Sequence, residues 1–374
     1  MNFKIKIFQV FESYPLVYFP YVEPLFKVLK KQKELDVQFY AYKGKSNKDL
    51  GVKILPSYYK RKFKEKISNL LNSNPLKFNY LELLSIKNNI DIIHIQYSFL
   101  YPKIENLLKL PRNERPKIII TLRGGDTYVK PWVNKRWKNF YNGLGSNVDA
   151  FITMSMHQKK YLMKWGIPEK NIHVIPLSFG EISKAKPKLP NKGIMKIVSA
   201  FRMGWEKNIE GNLRVIKILK EKGIKVQYDI FGGGPDVGQV YYLIDYYKLQ
   251  DCTTYYGKIE NKELIKRLNS YDFFLQLSHS ESLPASILEA QSQGVPCVSS
   301  NRGGLPEAII HGETGFCVES YDINLAVKNM VDLYNNPVLY KSFSKKAIEH
   351  VNNNYTNLNE IERLKLLYKK VLSN

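Results

Sequence analysis

The sequence contains few cysteines and no long apolar segment. Cys252, Cys297 and Cys317 are the only cysteines in 374 residues, and an odd number at wide spacing excludes a disulfide framework and predicts reduced thiols. No apolar run approaches the ~18 residues that a membrane span needs, and the first residues, MNFKIKIFQVFESYP, are too polar for a signal peptide. We therefore expect a cytoplasmic protein, and its length suits two domains of ~100–200 residues each.

Acidic residues are also scarce, and the shortage is uneven along the chain. The net charge is +23, and residues 1–180 hold 31 Lys and Arg against 13 Asp and Glu, whereas the remainder holds 26 against 21. Two basic stretches with interleaved aromatics, residues 58–66 (YYKRKFKEK) and 130–140 (KPWVNKRWKNF), could bind an anionic membrane surface at about 1 kcal/mol per cation. Nucleic acid suits the same residue types, but no nucleic-acid motif accompanies them, so no nucleic acid is expected as a partner. The alternative is a solvated, lysine-rich surface.

Short apolar runs alternate with helical patterns along the whole chain, which is typical of a doubly wound parallel α/β sheet. The alternation occurs twice, and residues 181–194, with their Lys and Pro, form the best linker candidate. The sequence therefore predicts a Rossmann-like domain at 1–180, a linker at 181–194, a second Rossmann-like domain at 195–355 and a last helix at 356–374.

Residues 278–315 (SHSESLPASILEAQSQGVPCVSSNRGGLPEAIIHGETG) hold the densest group of candidate site residues. The apolar run before them, 273–277, predicts a buried strand, and Pro284 suits the first position of the following helix. The N–H groups at that helix start would form a seat for a diphosphate. Glu289, about one turn further on, could hold vicinal ribose hydroxyls with an acceptor-only carboxylate. In the alternative interpretation, Glu281 is a capping residue and Glu289 lies on a solvated helix face.

This segment resembles the retaining glycosyltransferases of family 4, whose signature is Glu, seven residues, Glu and then a Gly-Gly-x-x-Glu loop. Glu281, Glu289, Gly304 and Glu307 stand at the matching positions. The resemblance implies the GT-B fold, in which two Rossmann-like domains face a cleft and the last helix crosses back to the first domain. It also implies a nucleoside-diphosphate sugar as co-substrate, with Glu281 facing the donor sugar. The helix start would complete the donor site with four residues: Ser282, Leu283, Pro284 and Ala285.

Two cations upstream carry the second part of the resemblance. The apolar run 196–201 predicts a strand, and the residues after it (RMGWEK) match the family's Arg-x4-Lys pair at Arg202 and Lys207. Such cations would stabilise the charge on a departing nucleoside diphosphate. Because the sequence has no Asp-x-Asp motif and no His or Cys spacing of a metal cluster, we expect Arg202 and Lys207 to replace a divalent metal, with no cofactor bound. The alternative is that both are ordinary surface cations.

The motifs of the first half match the family less well. Asp-x-x-His at 91–94 resembles a strand that places His94 at the cleft edge, although a lone His after an apolar strand is more often structural. In residues 121–126 (TLRGGD), Arg123 stands where many relatives have a histidine, and a guanidinium cannot act as a base. It could bind a phosphate or carboxylate of donor or acceptor instead. Asp126 could orient a sugar hydroxyl or pair with Arg123.

Two segments differ in their glycines from the patterns with which they are compared. The loop predicted at 11–20 lacks the glycines that many relatives have, so Ser13 and Tyr14 could contact the phosphate there. The turn FGGGPD at 231–236 is one residue off the dinucleotide fingerprint and is interrupted by Pro235, so it is weak support for NAD. The resemblance places Gly233 at the cleft, where a missing side chain lets a ligand or the facing domain approach. The alternative is a plain strand-to-helix turn.

These patterns together predict a retaining, metal-independent hexosyltransferase that moves a sugar to a glycan or polyprenyl-linked glycan in the synthesis of a bacterial surface polysaccharide. The resemblance implies attack on the same face of the sugar, assisted by the departing phosphate. Two other classes stay open: a GT-B sugar-nucleotide epimerase, and a non-catalytic partner subunit of another transferase. The protein would be cytoplasmic and could lie peripherally on the inner face of the cytoplasmic membrane.

Overall fold

The structure is a computed structural model that describes residues 4–15, 22–71 and 75–373. It divides into two compact units. The first comprises the chain up to Pro176 together with the residues from Glu360 onwards, and the second comprises Leu177–Asn359. Each unit is built around one sheet whose strand pairs are all parallel.

The first unit contains a seven-stranded sheet. Its strands are β1 (Ile5–Tyr14), β2 (Leu35–Gly44), β3 (Val52–Ile54), β4 (Ile92–Ile95), β5 (Lys117–Thr121), β6 (Ala150–Thr153) and β7 (Ile172–Val174), in the order β3-β2-β1-β4-β5-β6-β7. Its helices are α1 (Val22–Lys30), α2 (Tyr58–Leu70), α3 (Tyr80–Lys87), α4 (Gly125–Tyr128), α5 (Lys130–Val133), α6 (Lys135–Asn142) and α7 (Met156–Met163). The central strands β4 and β5 are almost wholly buried, because helices and loops cover both faces of a parallel sheet.

The second unit contains a six-stranded sheet. Its strands are β8 (Met195–Ala200), β9 (Val226–Phe231), β10 (Thr253–Gly257), β11 (Phe273–Gln276), β12 (Cys297–Ser300) and β13 (Gly315–Val318), in the order β10-β9-β8-β11-β12-β13. Its helices are α8 (Ile209–Glu221), α9 (Val237–Tyr246), α10 (Asn261–Leu268), α11 (Ala285–Ser292), α12 (Leu305–Ala308), α13 (Ile323–Tyr334) and α14 (Pro337–Asn354). The reversal of strand order between β8 and β11 is the switch point at which such sheets bind ligands, outside the carboxyl ends of the strands.

The last helix, α15 (Asn357–Ser373), contributes to the first unit from Glu360 onwards. Tyr368 is fully buried there. Lys365 forms an ion pair with Glu34, with 2.6 Å between Nζ and Oε1. This C-terminal segment is therefore part of the core and surface of the unit that the N-terminal strands build.

Several sequence predictions can be compared with these elements. The α/β class with two Rossmann-like domains is confirmed. The three cysteines are free thiols, of which Cys297 is buried and Cys252 and Cys317 are half-buried. None of the helices in the described residues is both long and apolar enough to cross a membrane. The loop predicted from residue 11 was wrong up to Tyr14, because β1 continues pairing with β2 as far as Gly44. The rest of that predicted loop includes residues 16–20, which lie outside the described residues.

Candidate functional site

The structure brings together Lys207 and Glu281, which are 74 residues apart in the sequence. The Lys207 ammonium forms an ion pair with the Glu281 carboxylate, and their side chains are only 13% and 11% exposed. Gln276, the last residue of β11, also donates from Nε2 to Glu281 Oε1 at 2.6 Å. A buried charge pair of this kind is retained only with further hydrogen bonds to its partners, and Gln276 supplies one. Sequence reasoning did not identify Gln276.

Asn208 holds the turn that presents Lys207. The turn is a short 3-10 helix, Trp205–Lys207, and Asn208 follows it with a φ of 49°, in the left-handed region where Asn is tolerated. The Asn208 amide donates to the carbonyl oxygens of Leu277 at 2.9 Å and Ser320 at 3.1 Å. Its side-chain oxygen caps α8 by accepting the Gly211 N–H at 3.0 Å. One side chain therefore fastens the lysine turn to the end of β11.

Arg202 has a different environment from Lys207. Its side chain is 56% exposed and forms an ion pair with Glu206, with 2.7 Å between Nη2 and Oε1. The other carboxylate oxygen of Glu206 is buried without a hydrogen-bond partner among the described residues. Glu206 was missed in the sequence, where its four-residue spacing from Arg202 could have signalled a local pair.

A Gly-Gly turn fixes the backbone of Glu281. Gly303 has a φ of +61°, and a Cβ there would lie 2.0 Å from the Glu281 carbonyl oxygen. The Gly304 N–H donates to the same oxygen at 2.9 Å. Glycine is required at Gly303 for both reasons, since an L side chain would be strained and would collide with backbone. In the adjoining helix α12, the Glu307 carbonyl accepts the Tyr355 hydroxyl at 2.6 Å.

The helix after Glu281 begins one residue later than predicted. Pro284 is the residue before α11 and has extended backbone angles, φ −83° and ψ 119°, so the prediction of Pro284 as the first helical residue was wrong. Leu283 and Pro284 are buried and Ser282 is half-buried. The first helical N–H groups, which a helix leaves unbonded within itself, belong to Ala285 and the residues after it.

Glu289 is buried inside the second unit. It is 3% exposed and its Oε1 accepts from the Asn261 side-chain amide at 2.7 Å. Burial raises its pKa to about 7, and the Asn261 hydrogen bond opposes that shift. The alternative of a solvated helix face is therefore wrong. Asn261 begins α10, and nothing in the local sequence signalled its pairing with Glu289.

The glycine turn at 231–236 packs closely against other parts of the second unit. A Cβ at Gly232 would lie 1.9 Å from the Phe201 carbonyl oxygen, and one at Gly234 would lie 2.1 Å from that of Met203. At Gly233 a Cβ would meet the Lys258 side chain at 2.8 Å. These glycines let the turn pack against the loop that carries Arg202 and Lys207. Close packing within the second unit therefore requires glycine here, a reason that the sequence interpretation missed.

His94 belongs to a buried polar cluster in the first unit. It is 1% exposed, with Nε2 2.7 Å from the Thr121 hydroxyl and Nδ1 2.9 Å from the Tyr368 hydroxyl of α15. Burial, with a smaller contribution from Arg123, lowers its pKa to about 3, so the ring is neutral at pH 7. His94 thus connects β4 to β5 and to the last helix, as in the structural alternative. Its position at the cleft edge stays a prediction.

Arg123 and Asp126 lie at the end of this cluster. Arg123 donates from Nη2 to Gln96 Oε1 at 2.6 Å, and Gln96 in turn donates to Gln9 Oε1 at 2.8 Å. Asp126 is fully buried and accepts the Arg123 backbone N–H at 3.0 Å. Burial raises the Asp126 pKa to about 6. Of its two predicted roles, the structure shows a bond to Arg123, through the main chain.

Ser13 and Tyr14 lie in strand β1 rather than in a loop. Ser13 is exposed, whereas Tyr14 is 3% exposed and its hydroxyl accepts from the Asn47 amide at 2.9 Å. Their prediction as loop contacts was wrong in its placement, because β1 extends further than its apolar run.

Comparisons with known proteins agree with this architecture in both halves. Residues 181–350 match the family model described as "Glycosyl transferases group 1", and residues 25–178 match the model described as "Glycosyltransferase Family 4". The N-acetyl-alpha-D-glucosaminyl L-malate synthase of Bacillus anthracis is 26% identical over 301 residues, covering 76% of each chain. The putative colanic acid biosynthesis glycosyltransferase WcaL of Escherichia coli K12 is 27% identical over 216 residues, covering 56% of this chain and 53% of that one.

A solved structure resembles the whole chain. The sucrose-phosphate synthase of Thermosynechococcus elongatus superposes with a TM-score of 0.78 at 16% identity, covering 99% of this chain and 100% of that one. At this level of identity the likeness concerns the fold. It covers both sheets, in agreement with the two family matches.

Proposed function

We propose that this chain, whose two halves match glycosyltransferase family models over residues 181–350 and 25–178, transfers a sugar from a nucleoside diphosphate to a glycan or lipid-linked glycan, with retention and without a metal ion. The observation that carries this proposal is the buried Lys207–Glu281 pair, placed by β8 and β11 in the half that matches the group 1 family. A fixed ammonium at this sheet edge suits a leaving group whose negative charge grows in the transition state.

Each member of the site has a role in this proposal. Lys207 and Arg202 stabilise the leaving diphosphate, together with the N–H groups at the start of α11. Glu281 accepts hydroxyls of the donor sugar, and Glu289 accepts the ribose hydroxyls. The bond between the anomeric carbon and the phosphate oxygen breaks while a bond to the acceptor oxygen forms on the same face. The acceptor's proton passes to the departing phosphate.

The biological setting in this proposal is the synthesis of a bacterial surface polysaccharide. The similarity to the colanic acid transferase supports it, although the chain spans only 53% of that protein. The similarity to the malate synthase supports transfer of an N-acetylglucosaminyl-type hexose from its donor. Transfer to a small acid is the alternative that this second relative suggests.

A panel of UDP-, GDP- and ADP-sugars, each with excess chelator, tests the donor site. A donor at ~100 times its dissociation constant should stabilise the protein by about 2.7 kcal/mol and raise its melting temperature. We expect one nucleotide to be selected and Glu289→Ala to abolish the shift, because the carboxylate that accepts the ribose hydroxyls is lost.

Two further variants serve as controls for this experiment. Glu289→Gln keeps the buried shape and removes the charge, and Glu349→Ala removes an exposed carboxylate of α14. We expect a weakened shift in the first and a normal shift in the second. A wild-type protein that no donor stabilises would contradict the donor site and favour a non-catalytic partner subunit.

Arg123→Ala tests the residue that departs from the family pattern. We propose that its guanidinium binds a phosphate or carboxylate of donor or acceptor, since it lies beside Gln96 and cannot take up a proton. Loss of a charged hydrogen bond worth ~1.5–3 kcal/mol should lower kcat/KM for transfer by about 10–100-fold. Arg123→Lys should recover part of the rate. Turnover unchanged in Arg123→Ala would remove this residue from the mechanism.

We also propose that the first unit binds an anionic membrane surface through α2. Three of its exposed apolar side chains share one face of the helix, Tyr59 at 82%, Phe63 at 67% and Leu70 at 75% exposure, and Leu71, which follows the helix, is 85% exposed. The same helix has five basic side chains against the single acidic Glu65. A short amphipathic helix of this composition suits the interface plane of a bilayer with anionic lipids.

The second basic stretch contributes less to this surface than its composition suggests. Trp137 and Phe140 are 9% and 3% exposed and pack in the core of the first unit. Trp132 and Val133, at 69% and 71%, are exposed. The proposed location on the inner face of the cytoplasmic membrane therefore rests chiefly on α2.

A further inference from the structure

A separate cavity lies in the second unit, at the starts of α8 and α9. Its volume is about 610 Å³, within the roughly 300–1,000 Å³ that small-molecule sites occupy. Trp205, Glu210, Asp236, Gln239 and His279 contribute to its lining. Asn208, which fastens the Lys207 turn, lines the cavity as well, so the cavity adjoins that turn. The five side chains just named have no role in the proposed donor site.

The charge of this cavity differs from that of the Lys207 site. Two carboxylates face it, and among the described residues that line it there is no Lys or Arg. Asp236 precedes α9 without capping the helix with its side chain, so its carboxylate is not used there. Glu210 accepts the Tyr247 hydroxyl at 3.1 Å, which orients it. Carboxylates accept hydrogen bonds from hydroxyl groups and repel phosphate, so the lining favours a neutral, hydroxyl-rich ligand over a nucleotide.

Four exposed aromatic rings form the aromatic rim of the cavity: Trp205 in the lining, Tyr321 beside the lining residue His279, and Tyr242 and Tyr246 further along α9. The Trp205 indole is 64% exposed, and Tyr321, at 72%, has its ring centre 5.2 Å from that of the lining residue His279. Tyr242 and Tyr246 are both 64% exposed and stack at 5.8 Å, one and two turns along α9 from the lining residue Gly238. A contiguous exposed apolar patch of this kind marks a site where a ligand or partner binds.

We propose that this cavity and its aromatic rim bind a neutral oligosaccharide. The apolar face of one pyranose ring packs on the Trp205 indole, while its hydroxyls donate to Asp236 and Glu210 and bond to the Gln239 amide. Further sugar units extend along Tyr242 and Tyr246. The inference rests on the proposed function in one respect, namely that the bound glycan is the acceptor.

The position of the turn gives this binding a consequence for transfer. Trp205 and Lys207 belong to one 3-10 turn, and the His279 N–H donates to the Glu206 carbonyl of that turn at 2.7 Å. A glycan packed on Trp205 therefore touches the element that presents the leaving-group cation. The occupied cavity holds the distal part of an acceptor chain and selects for acceptors longer than a single sugar.

The test is saturation-transfer NMR on the full chain with maltotetraose, cellotetraose and chitotetraose, and with a chondroitin sulfate tetrasaccharide as the anionic counterpart. We expect at least one neutral tetrasaccharide to bind. Binding should weaken at least tenfold in Asp236→Ala/Gln239→Ala and be lost in Trp205→Ala. Trp205→Phe, which keeps an aromatic face, should bind the glycan more weakly than the wild type but more tightly than Trp205→Ala. Tyr256→Ala, which removes an exposed aromatic ring of β10 in the same unit, is the matched control and should bind as the wild type does.

Three results would overturn the inference: no neutral tetrasaccharide binds, the sulfated one binds better, or Trp205→Ala binds normally. Donor stabilisation measured on Asp236→Ala/Gln239→Ala separates this site from the proposed function. If this variant is still stabilised by the donor but no longer binds the glycan, the glycan site is distinct from the donor site. Glycan binding by a wild-type protein that no nucleotide sugar stabilises would leave the cavity assignment standing and contradict the proposed donor chemistry.

Discussion

Lys207→Ala should lower the rate of sugar transfer by about 10²–10³-fold, the usual effect of removing one fixed donor to a developing negative charge. Lys207 is held by a 3-10 turn that Asn208 fastens to the protein, so its ammonium needs little rearrangement when the diphosphate departs. The effect should appear in kcat more than in KM, because the charge that Lys207 stabilises grows in the transition state. Steady-state kinetics with the selected donor measure it.

Loss of Lys207 should also destabilise the fold, and this must be separated from catalysis. Removing one partner of a buried pair leaves the Glu281 carboxylate with the Gln276 amide and costs about 3–5 kcal/mol. Lys207→Ala/Glu281→Gln removes both charges and should recover most of the melting temperature without recovering turnover.

Lys217→Ala is the matched control for this experiment, since it removes an exposed lysine of the adjacent helix α8 that pairs with Glu221. It should leave both turnover and stability near the wild-type values. A stable Lys207→Ala protein with normal kcat would contradict the assignment of Lys207 to the leaving group.

Substituting Lys60, Lys64 and Lys66 of α2 by Ala should weaken binding to anionic vesicles by about 100-fold, at ~1 kcal/mol per cation near the surface. Lys62 is retained because it forms an ion pair with Glu65 at 2.7 Å. Co-sedimentation with phosphatidylglycerol vesicles at low salt measures the loss. Wild-type binding should also fall at high salt, where the charges are screened.

Two comparisons make the membrane experiment specific to α2. Lys341, Lys345 and Lys346 of α14 are exposed, and their triple Ala variant lowers the net charge by the same amount. It should keep most of the vesicle binding. Phe63→Ala/Leu70→Ala should weaken vesicle binding in high salt too, because it removes apolar area that the bilayer would bury, and salt does not screen that contribution. Failure of the wild-type protein to sediment with anionic vesicles at low salt would show that the membrane proposal is wrong.

Much of the fold follows from local sequence. Buried parallel strands need continuous apolar runs, and those runs located β4, β8 and β11 to within a residue or two. The Gly303–Gly304 turn was also visible in the sequence, since a left-handed backbone and a close approach to Glu281 both require glycine. The predicted boundaries were wrong at the end of β1 and at the start of α11. Pairing with β2 extends β1, and the extended backbone of Pro284 delays the start of α11 by one residue.

The sequence by itself thus determined the class of fold, the order of its elements and the local positions of Glu281, Glu289 and Lys207. Tertiary structure alone decided which of them meet. Lys207 reaches Glu281 across 74 residues, Asn261 reaches Glu289 across 28, and local patterns carry no information about such contacts.

Local sequence patterns also did not determine which aromatic side chains are exposed at the surface. The two basic aromatic stretches have similar compositions, yet Tyr59 and Phe63 are exposed on α2, whereas Trp137 and Phe140 are buried in the core. An aromatic ring gains free energy in either place, in the core by burial or at a partner's surface by binding. Only the packing of neighbouring elements determines which rings are already covered and which remain available to a ligand.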